Sequence, residues 1–571
     1  MNPEITIVQD DLTVISLEQG YENSRGKNIF YTLHVFIIIM TYSWAGILPY
    51  SIPFLVKMPD LLCRLDHDSP WERWDEDKAC NGYYSDYKID YDSKETITNW
   101  ITSMDLVWAE DYEIGLFGTL YFVGFFVGSA FFLQIADVKG RRIVTIVGII
   151  GCIASALLIY ANNNQVLTYI CVLVLGVFTT LRILVGYIFA LELVPMTKKK
   201  LWNLISQCTD AIIVICIGGY FYVIQYGEST IIIYTLISIL WLIFIYKSPE
   251  SPQYLYTTKR WEKCHSSFSK ISHINKIEWQ GFKFDREDQR NVEEFNIKQS
   301  CGSVLKDNKT LKNLFIMLIN WSTCSFSYYL LSYYVRYFKG SIYSNTALLG
   351  LADILATFGI RGLQAFFQTK IGFMIWFSLV FWVSIFYYTV SHITALVAIW
   401  VFMMRFGITG GFILAYYGNS EYFQTDFSST ALGIWNTCAR FATIISPMVA
   451  EVLPQPIILI SVFSFVSLIL SFFLIKPKNI LISQLEKAEE KDQMFENEVP
   501  DLVRDFYGEH NEELEEDKNN MDRKNTDLGQ DVQYKEEDFM EDELEQKKYQ
   551  KEKLMILEGE DIDGIDDSDQ I

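Results

Sequence analysis

Apolar residues run along this chain in long blocks parted by short polar links, the pattern of repeated helical membrane crossings. Twelve stretches fit helical spans: about residues 29–56, 114–135, 143–161, 166–191, 203–226 and 230–247, then 311–333, 344–367, 372–390, 393–418, 429–450 and 454–476. Most match the ~20 residues needed to cross ~30 Å of hydrocarbon. The sharpest break is Leu133-Gln-Ile-Ala-Asp-Val-Lys-Gly-Arg-Arg142, a charged turn between the uncharged runs 114–132 and 143–160. Asp137, Lys139, Arg141 and Arg142 must lie outside the lipid, and their basic excess places the turn on the cytoplasmic side. Gly140 supplies the backbone freedom of the turn.

The same bookkeeping orients the rest of the chain. Lys198 to Lys200 and a basic-rich stretch from Lys247 to Lys312 fall on links that should be cytoplasmic, whereas the short links 161–165, 226–229, 391–392 and 451–456 hold no Lys or Arg. An even number of spans then puts both termini inside. The predicted order is a cytoplasmic segment 1–28; a six-helix half 29–247 with an extracellular loop 58–113; a cytoplasmic loop 248–312; a second six-helix half 313–476; and a tail 477–571. Two six-helix halves fit a molecule that rocks around a site near the membrane midplane. No short apolar core followed by small residues precedes residue 29, so the first span is expected to direct insertion.

Composition sharpens this picture. Half of the 571 residues are hydrophobic and 15% are aromatic, so most of the chain belongs in lipid. The net charge of −22 comes almost wholly from residues 481–571, where 32 acidic residues face 11 basic ones. Such a tail cannot bury enough apolar surface to fold, and its charge excludes nucleic acid as a partner while leaving a cytoplasmic protein partner open. Of ten cysteines, most stand singly in apolar runs. No zinc spacing, nucleotide loop or catalytic triad is present, so neither cofactor, metal nor enzyme activity is expected. Cys264, His265 and His273 in the central loop read as solvated side chains. The extracellular loop carries 15 acids, 5 bases and the pair Cys63 and Cys80, a candidate disulfide.

The charged turn, with its Asp-x-x-Gly-Arg-Arg pattern, resembles the signature loop of the major facilitator superfamily, although Leu133 stands where that signature begins with Gly. Ser248-Pro-Glu-Ser-Pro-Gln-Tyr-Leu255 is similar to the motif that ends the sixth helix in sugar porters and organic ion transporters, with Gln253 replacing the usual Arg. Arg182-Ile-Leu-Val-Gly186 and Glu192-Leu-Val-Pro195 also resemble those families. Asn320-Trp-Ser-Thr-Cys-Ser-Phe-Ser-Tyr-Tyr329, Arg405-Phe-Gly-Ile-Thr409, Ser420-Glu-Tyr-Phe423 and the run from Ala431 to Phe441 are similar to the organic cation, anion and carnitine transporters. The resemblance implies an all-α membrane protein, twelve helices in two halves, moving a small organic ion. It also implies a gate in which Asp137, Glu192, Glu250 and Glu421 face loop Arg and Lys, with Gly140, Arg141, Arg142 and Arg182 in the same set. The second-half copy of the turn, Thr369-Lys-Ile-Gly-Phe373, lacks both acid and Arg.

Charges inside a span usually face a cavity or a partner. This chain has Arg182, Asp210, Asp353, Arg405 and Arg440 in predicted spans. Asp353 and Arg440 match family positions in the eighth and eleventh helices; Arg at the latter implies an organic anion or zwitterion such as carnitine, because a guanidinium offers a carboxylate two parallel bonds. Asp353 and Arg440 are expected either to pair or to hold one charge each of a zwitterion. Asp210 is a candidate substrate-binding residue and proton relay, or else a carboxylate near the inner interface reaching Lys or Arg, and proton or sodium is the candidate coupling ion. Trp321, Tyr328, Tyr329 and Phe412 would supply aromatic walls. A sugar or polyol porter, resting on Pro-Glu-Ser-Pro, and a non-transporting receptor or scaffold using the acidic tail stay open as alternatives. The plasma membrane is the expected location.

Overall fold

The computed structural model describes residues 14–64, 68–73, 86–279, 283–284, 308–423 and 425–476. They form a helical bundle. The long helices are α1 Phe30–Leu55, α2 Asp111–Phe132, α3 Arg141–Tyr160, α4 Gln165–Glu192, α5 Met196–Val223 and α6 Gly227–Lys247, then α7 Asn308–Tyr337, α8 Ile342–Phe366, α9 Thr369–Val390, α10 Thr394–Tyr422, α11 Thr425–Val452 and α12 Ile457–Ser471. Among the described residues nine of them, all but α8, α11 and α12, carry a stretch long and apolar enough to cross a bilayer. Their outer faces agree with lipid as the solvent: on α3, Val147, Ile150, Leu157 and Leu158 are exposed, while Gly148, Cys152 and Ala156 are buried.

Helix ends depart from the expected bounds where polar residues extend a helix beyond its apolar run. Pro195 caps α5, so Lys198 to Lys200 belong to its first turns rather than to a link. The segment before α1 is packed rather than loose. Residues Leu17–Asn23 are helical behind a capping box on Ser16, Tyr21 is buried against Phe268, and Val14–Ile15 pairs in parallel with Lys283–Phe284. In the central loop, helices Pro252–Thr257 and Trp261–Ile274 pack their apolar side on this segment. Cys264 there is fully buried, with its thiol on the Pro252 carbonyl, which corrects the solvated reading; burial pushes that thiol up to about 12. His265 is half-buried beside Trp279, and His273 is exposed. Between α1 and α2, Leu61–Arg64 pairs antiparallel with both Glu72–Arg73 and Asp86–Ile89. Cys63 is buried on the first of these strands; Cys80 and the acidic tail lie outside the described residues.

Small residues let the helices meet backbone to backbone, the device that holds apolar helices together where lipid gives no hydrophobic driving force between them. A Cβ on Gly124 of α2 would lie 1.9 Å from the Leu173 carbonyl oxygen of α4, and one on Gly176 of α4 would lie 2.1 Å from the Tyr121 carbonyl oxygen of α2. Thr180 locks this contact by donating to the Phe125 carbonyl at 2.9 Å. Two further seams join the first six helices to the last six. Gly115 and Gly118 of α2 meet Met448 and Pro447 of α11, and Gly218 and Gly350 bring α5 against α8. Gly124→Ala is therefore expected to wedge α2 from α4 at about 1–3 kcal/mol and lower the Tm of the purified protein. Gly219→Ala, where a Cβ meets nothing within 4 Å, should leave it unchanged.

Candidate functional site

A cavity of about 260 Å³ lies between the two groups of helices. Tyr42, Tyr50, Tyr121, Phe122 and Phe125 line it from α1 and α2, and Trp321, Tyr329, Phe412 and Tyr416 from α7 and α10. Two charged side chains complete the lining: Asp210 from α5 and Arg440 from α11. Trp321 meets Phe412 at a tilt, centroids 5.0 Å apart, and Tyr416 edge to face at 4.6 Å, and Tyr329 packs on Phe122 at 4.7 Å. Arg440 lies over the Phe125 ring, 4.5 Å from its centre. The Tyr42 hydroxyl donates to Asp210 Oδ2 at 3.2 Å. Neither charged group enters an ion pair with a described residue.

Asp353 and Tyr328 stand apart from this lining. The partner of Asp353 is Arg405, not Arg440. The fully buried guanidinium of Arg405 donates from Nε to Oδ1 at 2.8 Å and from Nη2 to Oδ2 at 2.9 Å. Its Nη1 donates to the Tyr328 carbonyl and to Ser332 Oγ at 2.8 and 2.9 Å. Tyr328 lies over the guanidinium, 3.2 Å to the ring centre, and donates its hydroxyl to Asp353; Thr409 donates there too. The arrangement satisfies a buried pair in the way such a pair requires. The expected alternative failed because helical rotation sets which faces meet: α8 turns Asp353 towards α10, while Arg440 on α11 faces α2.

Arg182 also departs from its expected company. It is fully buried and meets no loop carboxylate among the described residues. Its Nε and Nη2 donate to the Thr41 carbonyl at 3.2 and 3.1 Å, and its Nη1 to Tyr234 and Ser238 at 3.0 and 2.9 Å, tying α4 to α1 and α6.

The remaining gate residues gather at the end of the bundle carrying the charged turn. Arg141 bridges Asp137 at 2.9 Å and Glu192 at 3.1 Å and lies over the Tyr254 ring. Glu250 caps the start of α3, accepting from the backbone N–H of Arg142 at 3.0 Å, a carboxylate where the helix dipole favours one. Arg142 donates in turn to the Ser248 carbonyl at 2.8 Å. Gly140, at φ +108°, makes room for this, since a Cβ there would lie 2.5 Å from Glu250 Oε2. Burial raises the Glu250 carboxyl above the ordinary glutamate value, while the N–H groups of Arg142 and Ser251 oppose the rise. Gln253, standing where an Arg was expected, accepts from Lys199 at 2.9 Å. In the last six helices Glu421 faces Lys476 at 3.7 Å.

At the opposite end the ties cross between the groups. Arg336 of α7 and Glu451 of α11 form a buried ion pair, and the same guanidinium donates to the Val56 carbonyl just past α1. Tyr343 of α8 donates to the Lys94 carbonyl at 2.9 Å and packs on Tyr222 of α5. Sequence reasoning missed this latch and the first-group wall of the cavity. A usable signal was present for the wall: Tyr42, Tyr50 and Tyr121 carry a polar hydroxyl inside apolar runs, where it needs a partner or a cavity.

Two groups of membrane helices closed over an aromatic cavity, tied across one end, define a membrane carrier. The Major Facilitator Superfamily model matches residues 96–447, and the chain belongs to that family. It is similar to solute carrier family 22 member 4 of Mus musculus, 24% identical over 392 residues, 66% of this chain and 68% of that protein. The mouse organic cation/carnitine transporter 2 is 22% identical over 407 residues, covering 70% of this chain and 71% of the relative. The Drosophila melanogaster organic cation transporter protein is 22% identical, covering 79% and 90%. The fold is also that of the inward open xylose transporter XylE of E. coli: TM-score 0.50 and 14% identity over 78% of this chain and 95% of that one.

Asp353→Asn leaves Arg405 buried without its counter-charge and should cost about 3–5 kcal/mol, read as a fall in Tm. Arg440→Gln, which breaks no ion pair, should change Tm little. The latch gives a second expectation. With spin labels at Asn163 and Thr389, on the two groups at the latch end, Glu451→Gln should lengthen the measured distances; an unchanged distribution would show that the pair does not hold that end closed.

Proposed function

We propose that the chain moves a small organic ion across the membrane by alternating access, α1–α6 and α7–α12 rocking as two halves about the cavity. The substrate class is an organic anion or a zwitterion such as carnitine, and the movement is coupled to a proton or sodium. The observation that carries this reading is Arg440, a guanidinium lining an aromatic cavity with no acid paired to it. A carboxylate entering a site of low dielectric needs such a cation, and Arg presents it as a planar fork. The names of the relatives, organic cation/carnitine transporter among them, support a small organic ion and, within the proposed class, carnitine rather than an anion.

In this reading the excess of Lys and Arg at the charged-turn end makes that end cytoplasmic, with both termini inside, and the plasma membrane is the expected location. The latch at Arg336, Glu451 and Val56 is then extracellular and the described conformation faces inward. Exchange of the Arg141, Asp137 and Glu192 contacts on closing supplies the inner gate.

The test is uptake into proteoliposomes of labelled carnitine, an aryl carboxylate, a quaternary ammonium and a hexose. The parent should accumulate carnitine or the carboxylate. Arg440→Asp should lower that uptake tenfold or more, on the order of one charge-assisted contact. Hexose uptake alone would move the assignment to a sugar porter. Flux of none of the four by correctly folded protein would favour the receptor reading.

A further inference from the structure

Among the described side chains, five charged ones lie well inside the helices of the bundle: Arg182, Asp210, Asp353, Arg405 and Arg440. Three are spent on the protein itself. Asp353 and Arg405 saturate one another with the help of Tyr328, Ser332 and Thr409, and Arg182 gives its donors to Thr41, Tyr234 and Ser238. Asp210 and Arg440 alone line the cavity, and neither is in an ion pair with a described residue. Asp210 accepts from Tyr42 at 3.2 Å and lies beside the Ser43 hydroxyl, and a carboxylate has room for further acceptor contacts. Of the two acids the sequence offered, Asp210 faces the cavity and Asp353 is turned to Arg405.

Their placement adds a second point. Asp210 is on α5, in the first group of helices, and Arg440 is on α11, in the second. Charges of opposite sign therefore face one cavity from the two bodies that must move relative to one another. A ligand bearing a single charge satisfies one body and leaves the other group facing apolar walls. A ligand bearing both charges joins them, and its interaction strengthens as the cavity closes and water leaves, because lower dielectric strengthens both contacts.

We propose that Asp210 is the residue that reads the cationic end of the substrate, and that the substrate, held by Asp210 and Arg440 at once, is the bridge that draws the two groups together. The inference rests on the organic-ion reading above and assigns it a cation-selecting residue. Tyr42 positions the Asp210 carboxylate, and Trp321, Phe412 and Tyr416 offer ring faces to a quaternary nitrogen.

The experiment compares carnitine with a monocarboxylate of similar size that lacks the nitrogen, in the full chain reconstituted into proteoliposomes, with ligand-induced change in Tm as a readout independent of flux. The parent should prefer carnitine and be stabilised by it more than by the monocarboxylate. Asp210→Asn should lower carnitine uptake about tenfold to a hundredfold, the worth of one charge-assisted bond, and erase its extra stabilisation, while monocarboxylate uptake changes less than about threefold. Asp210→Glu should restore part of the preference, which a variant that merely misfolds would not do. Equal loss of both substrates in Asp210→Asn, with Tm intact, would assign Asp210 to ion coupling and overturn the proposal. So would an unchanged ratio between the two. A parent that moves and binds the monocarboxylate but not carnitine overturns this inference and leaves the organic-ion reading standing, whereas a parent that moves neither, nor any of the four probes above, overturns both.

Discussion

The bidentate pair between Arg405 and Asp353 is the constraint on which the second group of helices depends. A guanidinium with no exposed surface inside a lipid-spanning bundle needs acceptors from the protein, because no water is at hand to supply them. Arg405 sends four of its five N–H groups to one carboxylate, one carbonyl and one hydroxyl, drawn from α7 and α8, and lies under the Tyr328 ring. Those contacts fix the rotation of three helices at once. Fixing them turns Tyr328 inward over the guanidinium and leaves Tyr329, its neighbour in sequence, on the cavity wall. Arg182 plays the matching part in the first group with a carbonyl and two hydroxyls, and no carboxylate among its described partners.

With these charges absorbed, Asp210 and Arg440 are the charged side chains left among the described residues that line the cavity. The seams that hold the groups together are built of glycine and so bring backbones close along α2, α5, α8 and α11. The polar ties are distributed unevenly. At the charged-turn end Arg141, Glu192 and Glu250 bind within the first group, and Glu421 and Lys476 within the second. At the opposite end Arg336 and Tyr343 reach across to carbonyls of the first group. Among the described residues the polar ties that Arg336 and Tyr343 make across the groups stand at this end, and the ion pairs at the charged-turn end stay within each group.

Much of the candidate site was legible from type and position. Arg440, Asp210, Trp321, Tyr329 and Phe412 were singled out as charges or aromatics inside apolar runs, and all five line the cavity. The contacts of Gly140, Arg141 and Glu250 agree with a charged turn that packs on the link after α6. Asp353 and Tyr328 lie outside the cavity lining, and sequence could not foresee this because their partner sits on α10, 52 residues from Asp353 and 77 from Tyr328, and no local pattern says which face of α8 meets α10. Arg336 and Glu451 went unnoticed because charges near the ends of spans are ordinarily solvated, and only the crossing of α7, α11 and the end of α1 buries this pair.

The sequence by itself determined that the chain is helical, that it belongs in a bilayer, which end carries the positive charge, and which few polar residues must be accounted for within lipid. Those properties are settled over about twenty consecutive residues, since each span inserts on its own hydropathy and each flanking charge acts on its own link. Tertiary structure decided which buried charges neutralise one another and which remain for a ligand. That depends on how far each helix is rotated and where it crosses its neighbours, and so on contacts such as Gly124 with Leu173, which bring together residues far apart along the chain.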